Sequence, residues 1–231
     1  MTNRTTIITI DGPAGAGKST VAKALARRLG YTYIDTGAMY RAVALKAIRT
    51  GVNWEDEEAL VALACRTQLK LTYDDRACLH VIMDGEDVSE AIRTPEVTNH
   101  TFYVARAAKV RAILVQWQQE MGRRNHAVIE GRDVGTVVFP QATYKFYLDA
   151  QFAERSRRRI NELREKGNDV NEEHLQMELQ ERDNKDLTRK TGPLKKADDA
   201  QLIDSTHLSI EEVVAEMLRC ISSKNACRST D

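Results

Sequence analysis

The residues Gly12-Pro13-Ala14-Gly15-Ala16-Gly17-Lys18-Ser19 have the types and spacing of G-x-x-x-x-G-K-[ST], a phosphate-binding P-loop. Its chemistry is that of an anion cradle. Glycines let backbone N–H groups curl around a phosphate, and a helix that starts there adds partial positive charge. Lys18 can reach the β and γ phosphates of a nucleoside triphosphate, and the Ser19 hydroxyl can hold Mg²⁺. The flanks suit the task. Ile7-Ile8-Thr9-Ile10 reads as a buried strand, and Lys18 to Leu29, with Thr20 in its first turn, places Val21, Leu25 and Leu29 at helical spacing.

The remaining chemistry is in arginines and strand exits. Arg41 follows Asp35-Thr36-Gly37-Ala38-Met39-Tyr40, and Arg132 follows an apolar strand. Arg155, Arg157, Arg158 and Arg159 crowd one helix, with Arg155 and Arg159 spaced to share a face; Arg182 and Arg189 lie on or just after the next. Such a set suits phosphoryl transfer between two anions. A phosphate monoester acceptor carries about −1.5 to −2 at pH 7 and must be brought against a triphosphate, which needs fixed cations. Its oxygen is already a nucleophile, so positioning and charge neutralisation can carry the reaction without a general base. The other reading of Arg155 to Arg159 is a solvated face or a nucleic-acid patch, but interleaved aromatics for base stacking are missing. Asp35 and Glu130 are both candidates for an outer-shell Mg²⁺ contact.

Positioning elements follow from periodicity. Strands are expected at Tyr31 to Ile34, Ala127 to Ile129, Tyr144 to Leu148 and Gln201 to Ile203. Helices are expected at Gly37 to Thr50, Glu55 to Arg66, Val97 to Ala105, Ala108 to Glu120, Phe152 to Lys166 and Glu172 to Leu187. A last helix is capped by Ser209 with Glu212 closing a capping box, and the final ten residues read as a polar, frayed tail. Leu69, Leu71 and Tyr73, then Leu79, Val81 and Met83, alternate with other residues as in an antiparallel meander, with turns at Asp74-Asp75-Arg76 and Asp84-Gly85. His80 on that meander has no ligand partner in the sequence and reads as a surface residue. Five strands alternating with helices predict an α/β fold, a three-layer sandwich around a five-stranded parallel sheet, with the β meander as an insertion. Ligands then collect at the C-terminal strand ends.

The 231 residues carry 34 basic and 34 acidic side chains, and a net charge of zero argues against a general polyanion binder, so no nucleic-acid partner is expected. Cys65, Cys78, Cys220 and Cys227 lack metal-ligand spacing and read as reduced thiols. Neither a leader-like apolar stretch nor a membrane-length apolar run is present, so a cytoplasmic location without membrane contact is expected.

The segments Ile8 to Thr20, Asp35 to Arg41, Gly131 to Pro140, Glu181-Arg182-Asp183, Asp186, Arg189, Pro193-Leu194 and Asp204 to Thr206 together resemble bacterial cytidylate kinases over nearly the whole chain. The resemblance implies a P-loop kinase fold, transfer of the γ-phosphate of ATP to CMP or dCMP with Mg²⁺, and a place in pyrimidine nucleotide metabolism. It implies a core of residues 1–35, 108–151 and 196–231, a nucleoside-monophosphate-binding region 36–107 that includes the β insertion, and a helical lid 152–195. Residues 12–20 would bind the donor. Thr36, Tyr40, Arg41, Arg132 and Arg189 would hold the acceptor phosphate, Arg111 and Asp133 would read the cytosine, and Arg182 and Asp186 would hold the ribose. Lys18, Arg132, Arg158, Arg159 and Arg189 would act on the transferring group, with Ser19 and Asp35 on the metal side. Two positions depart from the family pattern. A base-contacting serine is replaced in the stretch Phe102-Tyr103-Val104-Ala105, with Thr101 the nearest hydroxyl, and Lys109 stands where proline is common. A monomer is expected. The competing readings are a P-loop kinase for another small acceptor such as UMP, and an ATP-binding protein without turnover.

Overall fold

The computed structural model describes residues 5–74, 78–165, 167 and 169–228. Five strands, β1 (Ile7–Asp11), β2 (Thr32–Asp35), β6 (Ala127–Gly131), β7 (Tyr144–Asp149) and β8 (Gln201–Asp204), form one sheet in the order β2-β6-β1-β7-β8. The α/β fold with a parallel five-stranded sheet is as expected. The chain divides into two compact units, Met1–Thr32 with His126–Asp231, and Tyr33–Asn125.

In the first unit β1 lies between β6 and β7, parallel to both, with Ile8 beside Val128 and Tyr144. β7 in turn runs parallel to β8, with Leu148 beside Ile203. β1 and β6 are buried at every position, as strands covered on both faces must be. Helix α1 (Lys18–Leu29) packs on β6 and on α8 (Ile210–Arg228) through Val21 and Leu25 on its buried face. Ile8, Ile10, Leu25, Ile129, Phe146, Leu148 and Met217 are buried to 2% exposure or less, and each such side chain contributes about 1.5–3 kcal/mol. The capping box at the start of α8 is present: Ser209 N–H donates to Glu212 Oε2 at 2.8 Å, and Glu212 N–H to Ser209 Oγ at 3.2 Å. The helix then continues to Arg228, so most of the expected frayed tail is its last turns. Helices α6 (Phe152–Glu165) and α7 (Glu172–Thr188) pack on each other. Lys166 and Asn168, at the expected end of the first and in the polar link, lie outside the described residues.

The second unit is mostly helical. Asp35 caps α2 (Thr36–Thr50) and Asp56 caps α3 (Glu57–Cys65), each accepting the N–H three residues on. The expected meander forms from β3 (Leu69–Tyr73), β4 (Leu79–Met83) and the short β5 (Glu86–Asp87). Its Asp75-Arg76 turn residues lie outside the described residues. A 3₁₀ turn, Ala91–Arg93, leads to α4 (Pro95–Arg106), which Thr94 caps, and α5 (Ala108–Arg124) follows. α2 packs on α4, and α3 on α5. The Lys109 N–H, which proline would lack, donates to Glu57 Oε1 at 3.0 Å.

His80 is half-exposed at the surface, as expected, but it has carboxylate partners: Asp87 Oδ2 at 2.7 Å from Nδ1 and Asp74 Oδ2 at 3.7 Å from Nε2. Among the described residues no cluster of three or more metal-ligating side chains forms. Nor is any described helix long and apolar enough to cross a membrane. Cys65, Cys78 and Cys220 are free thiols; the side chain of Cys227 lies outside the described residues.

Candidate active site

In the first unit the P-loop connects the buried end of β1 to α1. Gly12 adopts φ 151°, and a Cβ there would stand 2.0 Å from the Leu148 carbonyl oxygen, so only glycine allows the loop to pass this close to β7. Ser19 and Thr20, by contrast, are exposed in the first turn of α1. Lys18 is buried, with Nζ 2.6 Å from the Pro13 carbonyl oxygen. Burial, with the positive charges of Arg132 and Arg182, brings its pKa down to about 7, against the opposing pull of Glu130 and Asp186.

The loop is held from α6 and α7. Asp183 receives the Ala14 N–H at 3.3 Å and Arg155 Nη1 at 2.5 Å, while the same Arg155 nitrogen donates to the Ala14 carbonyl at 2.9 Å. Arg155 Nε also reaches the Ala150 carbonyl at 3.0 Å. Arg155 therefore does not share an open face with Arg159. It is buried as a brace for the P-loop, whereas Arg159 is half-exposed and paired with Glu162 at 2.7 Å. Arg158 pairs with Glu154 at 2.8 Å and donates to the Ser205 hydroxyl at 3.1 Å and carbonyl at 2.5 Å. Ser205 Oγ lies 3.2 Å from the Ala16 carbonyl, and Arg158 Nη1 comes within 3.9 Å of where a Gly17 Cβ would be. Of the α6 arginines, Arg155 and Arg158 thus lie beside the P-loop, Arg155 at Ala14 and Arg158 at Gly17. The bracing by Asp183, Arg155 and Ser205 joins residues far apart in the chain, and no local pattern announces it.

A second polar group in the same unit contains the expected acceptor residues. Arg132 Nε donates to Asp186 Oδ2 at 2.7 Å. Arg189 pairs with Asp133 at 3.4 Å and with Asp186 at 3.7 Å, and its Nε donates to the Gly192 carbonyl at 2.5 Å. Burial alone would raise the Asp186 carboxyl, but Arg132, Arg182 and Arg189 together hold it below the usual carboxylate range. The chain leaving Arg132-Asp133 forms a π-helical turn, Val134–Val138, which periodicity over five residues cannot reveal.

The second unit holds the others. Asp35 Oδ2 pairs with Arg41 at 3.0 Å while Oδ1 receives the Ala38 N–H at 2.8 Å. Both oxygens are thus engaged, and Arg41, with the caps of α2, is what the Asp35 carboxylate touches. Thr36 and Tyr40 are buried on the first turns of α2. Arg111 is 2% exposed, its guanidinium 5.5 Å from the centre of the Tyr40 ring and Nη1 3.5 Å from the Ala105 carbonyl. Phe102 is half-buried, edge-on to Tyr103 and under Arg106, and the Thr101 hydroxyl donates to the Val97 carbonyl at 2.7 Å.

The cytidylate kinase family model matches residues 8–223. A cytidylate kinase of Desulforamulus reducens is 52% identical over 211 residues, covering 91% of this chain and 94% of that protein. One of Caldanaerobacter subterraneus subsp. tengcongensis is 48% identical over 221 residues, 96% of each chain. Among solved structures, an uncharacterized protein from Eubacterium ventriosum superposes with TM-score 0.51 at 12% identity, covering 95% of this chain and 99% of that one, a likeness of fold alone. With the family model spanning most of the sequence and relatives near half identical over nearly all of it, the chain belongs to the cytidylate kinase family.

Proposed function

We infer that this chain transfers the γ-phosphate of ATP to CMP or dCMP, yielding ADP and CDP or dCDP. The observation that carries the reading is a buried lysine, Lys18, in a braced P-loop, in the same unit as Arg132 and Arg189. The P-loop, residues 12–20, receives the donor phosphates on its backbone N–H groups, and Lys18 becomes fully charged against them. Arg158 stands beside Gly17 to meet the transferring group, and Arg159 on the same helix follows it. Arg132 and Arg189 exchange carboxylate partners for the acceptor phosphate, and Thr36, Tyr40 and Arg41 are further acceptor-phosphate ligands. Arg182 and Asp186 take the ribose. Asp133 accepts the cytosine amino group and Arg111 donates to its ring acceptors.

The residues fit Mg²⁺ as a partner of the nucleotide and not as a protein-caged ion. Ser19 offers a hard oxygen ligand, and no cluster of three metal-ligating side chains stands among the described residues. The ion would supply charge neutralisation at the β and γ phosphates, with Asp35 acting through water. Exclusion of water, which would otherwise accept the phosphoryl group, falls to the charged helices α6 and α7.

Measuring ADP release with CMP, dCMP, UMP and AMP tests the reading. UMP presents O4 and N3–H where cytosine presents an amino group and N3, so the Asp133 carboxylate would face a carbonyl oxygen. Such a mismatch in a buried site discriminates by about 100-fold or more. Asp133→Ala is expected to lower kcat/KM for CMP far more than for UMP. Equal losses would place base choice elsewhere, and no turnover with CMP or dCMP would end the reading.

A further inference from the structure

We propose that Asp11 is a positioning residue for the acceptor: from the donor side of the site, its carboxylate fixes the two-residue loop Arg132-Asp133. The proposal rests on the assignment of those two residues to CMP. The register of β1 against β6 places Asp11 beside Gly131, the last residue before the loop. The chain then passes through Arg132 and Asp133 and returns at once to the same residue. The Val134 N–H donates to Asp11 Oδ1 at 2.8 Å, and the Gly135 N–H to Oδ2 at 2.7 Å. The loop is thus pinned at one end by the Asp11 strand pairing and at the other by its side chain.

The first N–H groups of any helical turn lack a partner within it. Here one carboxylate serves two of them, while the turn closes behind through Val137 N–H to the Asp133 carbonyl at 2.8 Å and Phe139 N–H to the Val134 carbonyl at 2.7 Å. A second observation points the same way. A Cβ on Gly135 would lie 2.9 Å from Thr9 Oγ1 and 3.2 Å from Asp11 Oδ2, so the turn docks against β1 too closely for any side chain.

Titratable groups face the carboxylate from each neighbouring element: Lys18 on α1, Asp133 in the loop, and on β7 the neutral Tyr147 phenol, with the Lys145 stem beside Gly135. Burial pushes the Asp11 carboxyl up to about 6; Asp133 adds to this, while the Gly135 and Val134 hydrogen bonds and Lys18 oppose it. Acidification through that value turns one oxygen into a donor facing an N–H donor, which opens the clamp.

Asp11→Asn keeps the shape but points an amide NH₂ at one of the two N–H groups. KM for CMP should rise about 10-fold or more, the worth of one charge-assisted hydrogen bond, while KM for ATP changes little. The CMP phosphate itself titrates near pH 6, so the readout is the wild-type to Asp11→Asn ratio of kcat/KM for CMP. That ratio should be large at pH 8 and shrink toward one at pH 5. A flat ratio, an unchanged KM for CMP, or equal rises in KM for CMP and ATP would overturn the proposal. Gly135→Ala strikes the same clamp from the other partner and replaces Asp11→Asn if that variant does not fold. It should raise KM for CMP similarly, and the double variant should be no worse than either single one. Asp133→Ala run in parallel separates the two levels. A CMP-specific loss there with a normal Asp11→Asn enzyme overturns the role of Asp11 alone; no CMP-specific loss in Asp133→Ala overturns the acceptor assignment.

Discussion

Two lysines, one at the start of α1 and one on β7, make similar local contacts and differ in one partner. Lys18 and Lys145 are both buried, and each donates to the carbonyl of the proline five residues earlier, at 2.6 Å in both cases. Lys145 also has Asp199 at 2.9 Å. Lys18 makes no ion pair among the described residues. A buried cation with a carboxylate partner is a fastening. A buried cation with a carbonyl and no ion pair, at a helix N-terminus, suits an incoming anion, and the difference of one partner separates a structural lysine from a functional one.

The largest effect expected from this contrast is on turnover. Lys18→Met should lower kcat by about 100- to 1,000-fold, as for loss of a preorganised charge at the transition state. Lys145→Met should lower kcat far less, since its ammonium group is already held by the Pro140 carbonyl and Asp199. A steady-state assay of the two variants decides the matter, and comparable losses would dissolve the distinction.

A smaller but more specific effect is in protons. Lys18 titrates at about 7 in the free protein, so near pH 8 it is mostly neutral. A bound triphosphate favours the charged form, and ATP binding at that pH should take up about one proton. Calorimetry in buffers of different ionisation enthalpy would detect it, and Lys18→Met should abolish it. Stability follows the same linkage. Between about 7 and the ordinary lysine value the folded chain binds fewer protons than the unfolded one, so stability should rise with pH across that window in the free enzyme. Below about 7 the cost of the buried charge is present in full. Loss of this slope in Lys18→Met, with no loss of stability at neutral pH, is the expected outcome.

The sequence makes one of these lysines legible and leaves the other silent. Lys18 stands in a motif whose glycines and flanking strand and helix are all local, so its role can be read from thirteen consecutive residues, Ile8 to Thr20. Lys145 is an unremarkable polar residue in an apolar strand; its partner is 54 residues away in a loop. The same rule explains the rest. Strands and helices with clear periods fall where expected within a few residues, and the Ser209–Glu212 box is visible because it spans four residues. The alternation in β3 is less faithful: Leu69 and Leu71 are half-buried and Tyr73 is exposed, because this short sheet covers its core chiefly through β4. The arginine run on α6 hides a division of labour that composition cannot show. Arg155 turns inward to Asp183, 28 residues on, while Arg157 stays with Glu154 at the surface. Asp35 reads as a metal-side carboxylate, and the sequence does not show that it also caps α2 and pairs with Arg41.

The smallest expected effect tests the fastening itself. In Lys145–Asp199 the lysine side chain is 6% exposed and the aspartate 63%, so removal of the carboxylate strands a buried charge while removal of the lysine only releases an exposed one to water. Asp199→Asn should therefore cost about 1 kcal/mol, within the range for ion pairs open to solvent on one side. The sign of its pH dependence is fixed. The Lys145 hydrogen bond holds the Asp199 carboxyl below the usual carboxylate range. Its contribution is complete above the unfolded aspartate value and disappears as pH falls through the depressed folded value. The stability gap between wild type and Asp199→Asn, measured by urea unfolding, should be constant from about pH 5 to 8 and close at lower pH. The two lysines would then leave their marks at opposite ends of the pH scale, Lys18 from neutral upward and Lys145 through its partner in acid. A gap that stayed open in acid would mean that Asp199→Asn acts through something other than the ion pair with Lys145.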